Sequence, residues 1–257
     1  MVRIKRYLSA AISIVLVITL LGGNFAYANE LDQQQLECND KEECLKAINS
    51  IEAELKSEGT TVEKELLSFY TNLEIDRQAL KINSTNSYDP VLINGSNDII
   101  ESIEVIHNTD NIRSTSLEIY YLGLAGTIIA WFNSKGYKLS AELLDHAANN
   151  STLNSYYYPT YGSRVKSSSV YWNKKNSSGS SGDGVFPNTG STKEKDLYYA
   201  IHKFNWYRHA GQFIISDLYD FANDKAYWKT ISGVAVHLMY NAQNLGVLTP
   251  YYTRIYS

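Results

Sequence analysis

The spacing of apolar residues predicts two helices near the N-terminus. Apolar side chains recur every three or four positions in two runs, at Leu45, Ile48, Ile51 and Leu55 and then at Val62, Leu66, Phe69 and Leu73. Gly59 separates the runs, and Thr60 with Glu63 has the spacing of a capping box that begins the second helix. The pattern therefore predicts a helical hairpin within residues 29–81.

The longest apolar run of the C-terminal part, residues 117–132, predicts a helix buried in the centre of a domain. It contains one charged side chain, Glu118, and Ser116 and Gly136 suit its N-cap and its C-terminal stop. A membrane-inserting segment is the alternative interpretation, but 16 residues are too few to cross a bilayer unaided. A second helix is predicted from Ser140.

Alternating residues further along the chain predict a small antiparallel sheet. Segments 204–209 and 212–221 flank an Ala-Gly pair, which is typical of a β-hairpin. Before them, Asp196 is predicted to begin a short helical turn, and the Ser- and Gly-rich residues 162–191 indicate a long surface loop. A last helix and a short terminal strand complete the chain.

These elements indicate an α+β protein with two parts. Residues 114–257 are predicted to form a Tyr-rich domain in which two or three helices pack on the small sheet. The Asn- and Ser-rich residues 82–113 are predicted to link this domain to the hairpin.

The distribution of charge supports the same division. Residues 29–110 carry 18 acidic and 6 basic side chains, a net charge of −12, whereas residues 111–257 carry 9 acidic and 14 basic ones, a net charge of +5. Opposite charges attract at short range, so the acidic part could mask a basic surface that meets an anionic cell envelope. The simpler alternative is that the acidic part is only a soluble helical surface.

The first 28 residues have the pattern of a secretory signal peptide. Three basic residues within the first six positions precede the apolar run 8–21, and Ala26-Tyr27-Ala28 is a small-x-small cleavage site. The mature protein is therefore expected to begin near Asn29, to be secreted and to lack a transmembrane span.

Both cysteines, Cys38 and Cys44, lie early in the expected mature chain. Outside the cell they could form a local disulfide. Two thiols without a nearby histidine do not provide four ligands, so we expect no metal, and no sequence motif indicates a cofactor. The formal net charge of −4 and the expected compartment argue against nucleic acid as a partner.

Aromatic residues interleaved with cations are the candidate binding residues. They are Tyr156, Tyr157, Tyr158, Tyr161, Tyr171 and Trp172. Exposed rings beside cations suit stacking on sugars or contact with an anionic surface, so a cell-wall polymer or an envelope lipid is the expected partner. The alternative is that these rings fold back over the rim of the domain.

The candidate catalytic residues lie in the predicted β-hairpin. They are Asp217, Tyr219, Asp220, Arg208 and His209. Two acids three positions apart beside a tyrosine could provide a general base and an orienting hydrogen bond, and Arg208 and His209 could add a cation and a second titrating group. Alternation places Asp217 and Tyr219 on one face of the strand. The alternative is a strand end whose aspartates bind backbone groups of a turn.

The sequence Asp217-Leu218-Tyr219-Asp220 resembles the catalytic segment of colicin M-type toxins. The resemblance implies hydrolysis of the undecaprenyl-pyrophosphoryl-linked peptidoglycan precursor. Those toxins continue with an adjacent His-Arg pair, whereas this chain has Ala226 and Tyr227 in the equivalent stretch. The C-terminal region also resembles, in general character, uncharacterised secreted proteins of Gram-positive bacteria. We therefore expect a toxin-like or non-catalytic factor that engages the cell envelope, with a phosphohydrolase as the alternative.

Overall fold

The fold combines helices with one sheet. The computed structural model describes residues 38–83, 112–150, 152–153, 155–221 and 231–256. Within these ranges it contains seven α-helices, one 3₁₀ helix and a five-stranded sheet, which confirms the α+β class. The signal peptide, most of the 82–113 linker and the side chains of Cys38 and Cys44 lie outside the described residues.

Within the described ranges, four helices precede the first strand. The helices are α1 (Cys38–Ser57), α2 (Val62–Asn83), α3 (Ile112–Ser134), α4 (Lys138–Asn149), the 3₁₀ helix (Gly162–Ser167), α5 (Ser169–Lys175), α6 (Thr192–Ala200) and α7 (Ile231–Asn244). The strands are β1 (Tyr156–Tyr157), β2 (Ser181–Val185), β3 (Lys203–His209), β4 (Gln212–Tyr219) and β5 (Tyr251–Tyr256).

The sheet has the strand order β1-β5-β4-β3-β2. Strand β1 pairs with β5 in parallel, and the other pairs are antiparallel. The predicted hairpin of β3 and β4 is confirmed, with both turn residues, Ala210 and Gly211, at positive φ angles of 50° and 79°. The predicted terminal strand is β5, which joins the sheet beside β4.

Helix α3 occupies the centre of the helical layer. Its residues Leu124 and Ile129 are fully buried, and they belong to the same apolar cluster as Leu66 of α2 and Ile215 of β4. The helix begins at Ile112, so the predicted N-cap at Ser116 is wrong. The predicted start of the C-terminal domain at residue 114 therefore falls inside this helix, and independent folding of residues 114–257 stays a prediction.

The N-terminal end of α2 also differs by one residue from its prediction. The helix begins at Val62, and the hydroxyl of Thr61, rather than that of Thr60, accepts the capping hydrogen bond from the amide of Lys64 at 3.3 Å. The Thr60 hydroxyl instead donates to Glu65 at 2.8 Å.

Residues 162–191 are structured, contrary to the loop prediction. They contain the 3₁₀ helix, α5 and β2, because a few large side chains anchor them: Val165 and Tyr171 are fully buried and Phe186 is 1% exposed. The glycines permit close packing, since a Cβ at Gly184 would lie 2.3 Å from the Phe204 ring. The prediction of a loop from serine and glycine content therefore missed an edge strand, β2.

Asp196 does not begin α6, which starts four residues earlier, at Thr192, after a capping box between Ser191 and Glu194. It is fully buried and accepts hydrogen bonds from the amides of Leu139 and Ser140, both at 2.9 Å. Asp196 therefore caps the neighbouring helix α4.

Candidate functional site

The predicted acidic segment lies at the end of β4, on the face of the sheet that packs against the helices. Asp217 faces Thr253 of β5, and Tyr219 faces Tyr251. Tyr219 is 6% exposed, and its ring lies 5.3 Å from that of Tyr251. Asp217 and Tyr219 thus share a face as predicted, while Asp220 is exposed just beyond the strand.

The surroundings of Asp217 favour its neutral form. Burial, and then the negative charge of Asp220, raise the pKa of Asp217 to about 8, although a hydrogen bond from the Leu218 amide opposes the shift. Burial also raises the pKa of Asp220. The facing Thr253 hydroxyl is buried without a hydrogen-bond partner in the described part of the chain. This end of the sheet thus holds a carboxyl group that can be protonated near neutral pH.

The two basic candidates lie at the other end of the hairpin. Arg208 pairs with Phe213 and His209 with Gln212, so the strand rise places them roughly 13 and 16 Å from Asp217 along β4. The Arg208 guanidinium donates to backbone carbonyls at and after the C-terminal end of α5, those of Lys175, Ser177 and Gly179, at 2.6 to 2.9 Å. Arg208 therefore holds a loop, and the structure does not bring it or His209 to the acidic pair.

Three of the six predicted binding residues are turned into the protein. Tyr171 is fully buried against Phe213. The Tyr157 hydroxyl donates to Glu142 at 2.8 Å, and the Tyr161 hydroxyl donates to Asp76 at 2.6 Å. For these three tyrosines the alternative interpretation, rings folded back over the domain, describes the arrangement.

The other three predicted binding residues are exposed, in two separate places. Tyr156 and Tyr158 are each 52% exposed, and they lie at β1, beside β5. Trp172 is 43% exposed on α5, where its indole donates to the Lys166 carbonyl at 2.9 Å. Helix α5 packs beside β2, at the opposite edge of the sheet from β1.

The outer face of the sheet, opposite the helices, carries a cluster that we call the tyrosine platform. Its members are Tyr156, Tyr158, Tyr207, Tyr252, Arg254 and Tyr256. Register and alternation put five of them on one face, because Tyr156 pairs with Tyr252 and Tyr207 and Tyr256 both pair with Ile214. Tyr158 joins them through its ring, which lies 5.5 Å from that of Tyr256.

Two ring pairs and one cation organise the platform. Tyr158 stacks on Tyr256 at an interplanar angle of 29°, and Tyr156 lies 5.6 Å from Tyr252 at 31°. The Arg254 guanidinium carbon lies 3.8 Å from the centre of the Tyr156 ring, within the range of a cation–π interaction. The hydroxyls of Tyr158 and Tyr256 also lie near the same guanidinium and interact with it electrostatically. The platform is thus an ordered, partly exposed aromatic surface with a positive charge at its centre.

Sequence reasoning missed four platform residues, Tyr207, Tyr252, Arg254 and Tyr256. The signal that could have found three of them is the alternation Tyr-Thr-Arg-Ile-Tyr in the terminal strand, which puts residues 252, 254 and 256 on one face. Sequence reasoning also missed His146 of α4, whose ring stacks 3.8 Å above that of Tyr157.

Within the described ranges, no three His, Cys, Asp or Glu side chains gather closely enough to hold a metal ion. No helix in these ranges combines the length and the apolar composition needed to cross a bilayer. Comparison of the chain with protein-family models, with curated proteins and with solved structures finds no significant match.

Proposed function

We propose that this protein is a secreted, non-catalytic factor that binds an anionic glycan polymer of the bacterial cell envelope through the tyrosine platform. The observation that carries the proposal is the exposure of ordered tyrosine rings around Arg254 on one open face of the sheet. Contiguous exposed aromatic surface is characteristic of a binding site, because soluble proteins otherwise cover such patches.

The chemistry of the platform suits a polymer that has both sugar rings and negative charges. Tyrosine presents an apolar ring face and a polar hydroxyl, and it loses few rotatable bonds when a ligand stacks on it. Arg254 adds a charge that a phosphate or carboxylate group can neutralise. The excess of basic over acidic side chains in residues 111–257 favours the same class of ligand.

Binding to purified Gram-positive cell walls tests the proposal. The substitution Tyr158→Ala removes an exposed ring that only the platform uses, and we expect it to weaken binding about tenfold, the effect of losing a typical interface tyrosine. Trp172→Ala is the control, because Trp172 is another exposed aromatic residue, at 43% against 52% for Tyr158, but it lies outside the platform. Equal losses for the two variants, or none for Tyr158→Ala, would remove the basis of the proposal.

Three probes distinguish an anionic polymer from an envelope lipid as the partner. They are walls with teichoic acid, the same walls after its extraction, and vesicles of phosphatidylglycerol. Binding that falls after extraction identifies the anionic polymer. Binding to the vesicles alone would contradict the proposal and identify an envelope lipid instead.

A second candidate function is hydrolysis of the lipid-linked peptidoglycan precursor, as the likeness to colicin M-type toxins implies, with Asp217 as a general acid rather than the general base expected from the sequence. The observation that favours it is the raised pKa of about 8, which keeps a proton available near neutral pH. A hydrolysis assay on the lipid-linked peptidoglycan precursor tests it, and Asp217→Asn should then lower the rate about 100-fold or more. Absence of turnover by the wild-type protein would eliminate this candidate.

A further inference from the structure

The segment from Tyr156 to Tyr161 connects the platform to the interior of the protein. Tyr156 and Tyr158 point to the outer face, and the residue between them, Tyr157, points inward and stacks on His146. Strand β1 has two residues and, in the part of the chain that the structure describes, pairs with β5 alone, so little backbone pairing fixes the segment. Its position therefore depends on side-chain contacts.

Helix α2 supplies several of these contacts through two adjacent residues. Arg77 donates from Nη2 to the Tyr157 hydroxyl at 2.8 Å and from Nε to the Thr160 hydroxyl at 3.3 Å. The preceding residue, Asp76, accepts from the Tyr161 hydroxyl at 2.6 Å. Helix α2 thus holds three side chains of the segment.

Glu142 of α4 completes the attachment from the other side. Its buried carboxylate accepts hydrogen bonds from the backbone amides of Thr160 and Tyr161, at 2.8 and 2.9 Å, and from the Tyr157 hydroxyl. The Arg77 guanidinium lies 3.6 Å from the same carboxylate. The Tyr157 hydroxyl therefore both accepts from Arg77 and donates to Glu142, and this fixes the ring between the two platform tyrosines.

We propose that Arg77 is a positioning residue for the tyrosine platform, and that helix α2 supports ligand binding by helping to hold Tyr156 and Tyr158 in place. This inference rests on the proposed function. It reverses the masking expected from the charge distribution, because the contacts of α2 fall on the inward side of the segment, whereas Tyr156 and Tyr158 remain 52% exposed. Loosening α2 should weaken binding, whereas masking predicts that it strengthens binding.

Binding to purified cell walls by three variants of the full mature chain tests the inference. Arg77→Met keeps the length of the side chain but removes its donors, and we expect about a fivefold loss of affinity. Arg77→Lys keeps one donor that can reach the Tyr157 hydroxyl, so it should recover most of the affinity. Gln78→Met is the control, because within the described ranges the exposed Gln78 side chain bonds to its own helix alone, at Glu74.

A double-mutant cycle with Tyr158→Ala separates positioning from a general loss of stability. If Arg77 acts through Tyr158, Arg77→Met should cause little further loss in the Tyr158→Ala background. All variants are measured at a temperature at which urea unfolding shows them to be more than about 99% folded.

The outcomes distinguish the inference from the function on which it rests. Two results would overturn the positioning role: wild-type affinity in Arg77→Met, or a full additional loss of affinity in the double variant. Either result would leave the proposed function supported if Tyr158→Ala weakens binding. Tighter binding by Arg77→Met would support the alternative that the acidic helices mask the binding surface. Wild-type affinity in both Arg77→Met and Tyr158→Ala would overturn the proposed function itself.

Discussion

Protonation of Asp217 should make the stability of the protein depend on pH in an unusual direction. The pKa of Asp217 is about 8 in the folded chain, whereas an unfolded aspartate titrates near ~3.9. Between these values the folded state retains a proton that the unfolded state has lost. The free energy of unfolding therefore falls as pH rises from about 4 to about 8, and below pH 4 this penalty is absent.

The size of the effect follows from the shift. Each pH unit within the window corresponds to at most about 1.4 kcal/mol for one group. Asp217 is not fully buried, and solvent reaching the carboxylate weakens the penalty, so we expect on the order of 2 kcal/mol between pH 5 and pH 8. Asp217→Asn removes the charge at nearly constant shape, and it should abolish this part of the pH dependence.

Urea unfolding of wild type and Asp217→Asn at pH 5, 6, 7 and 8 measures the difference directly, since other titrating groups contribute to both proteins. The variant should gain stability over wild type as pH rises. Asp220→Asn should reduce the slope of the wild-type curve only in part, because burial is the larger cause of the shift. A difference between wild type and Asp217→Asn that is constant from pH 5 to pH 8 would refute the reasoning.

Two further predictions concern other polar groups. Asp196→Ala should destabilise the protein by about 3–5 kcal/mol in urea unfolding, because it uncaps α4 and leaves Arg164 without its buried partner; a loss below about 1 kcal/mol would show that water replaces the carboxylate. Arg254→Gln should weaken binding to walls that bear teichoic acid and reduce the salt dependence of that binding, with little change for extracted walls. An unchanged salt dependence would show that the anionic groups of the ligand do not contact Arg254.

The sequence predicted the regular part of the fold because its signals are local. The β3–β4 hairpin follows from strand alternation around Ala210-Gly211, and the burial of α3 follows from a run with a single charge. Residues 162–191 could not be predicted in the same way, since Val165 and Tyr171 are anchored by residues distant in sequence. The role of Asp196 depends likewise on the first turn of α4, which lies more than fifty residues earlier in the chain.

The candidate site was predicted in part for the same reason. The aromatic run around Tyr156 and Tyr158 is visible in the sequence, but their partner Tyr256 comes from the last strand, and only the sheet register brings them together. Conversely, His209 and Asp217 are grouped as candidate catalytic residues because they lie on neighbouring strands, but the sequence does not reveal how those strands are aligned. The register separates them, because His209 lies beside the turn and Asp217 near the other end of β4.

The tyrosine platform is tested most directly by observing the tyrosine rings while a ligand binds. Ring carbons of ¹³C-labelled tyrosine report each residue by nuclear magnetic resonance, and a soluble fragment of teichoic-acid-bearing cell wall serves as the probe. We predict that the resonances of Tyr156, Tyr158, Tyr252 and Tyr256 shift on titration, while those of the buried Tyr171 and of Tyr199, which packs beside Trp131 of α3, stay in place. Saturable binding that leaves the resonances of Tyr156, Tyr158, Tyr252 and Tyr256 unchanged would contradict the account.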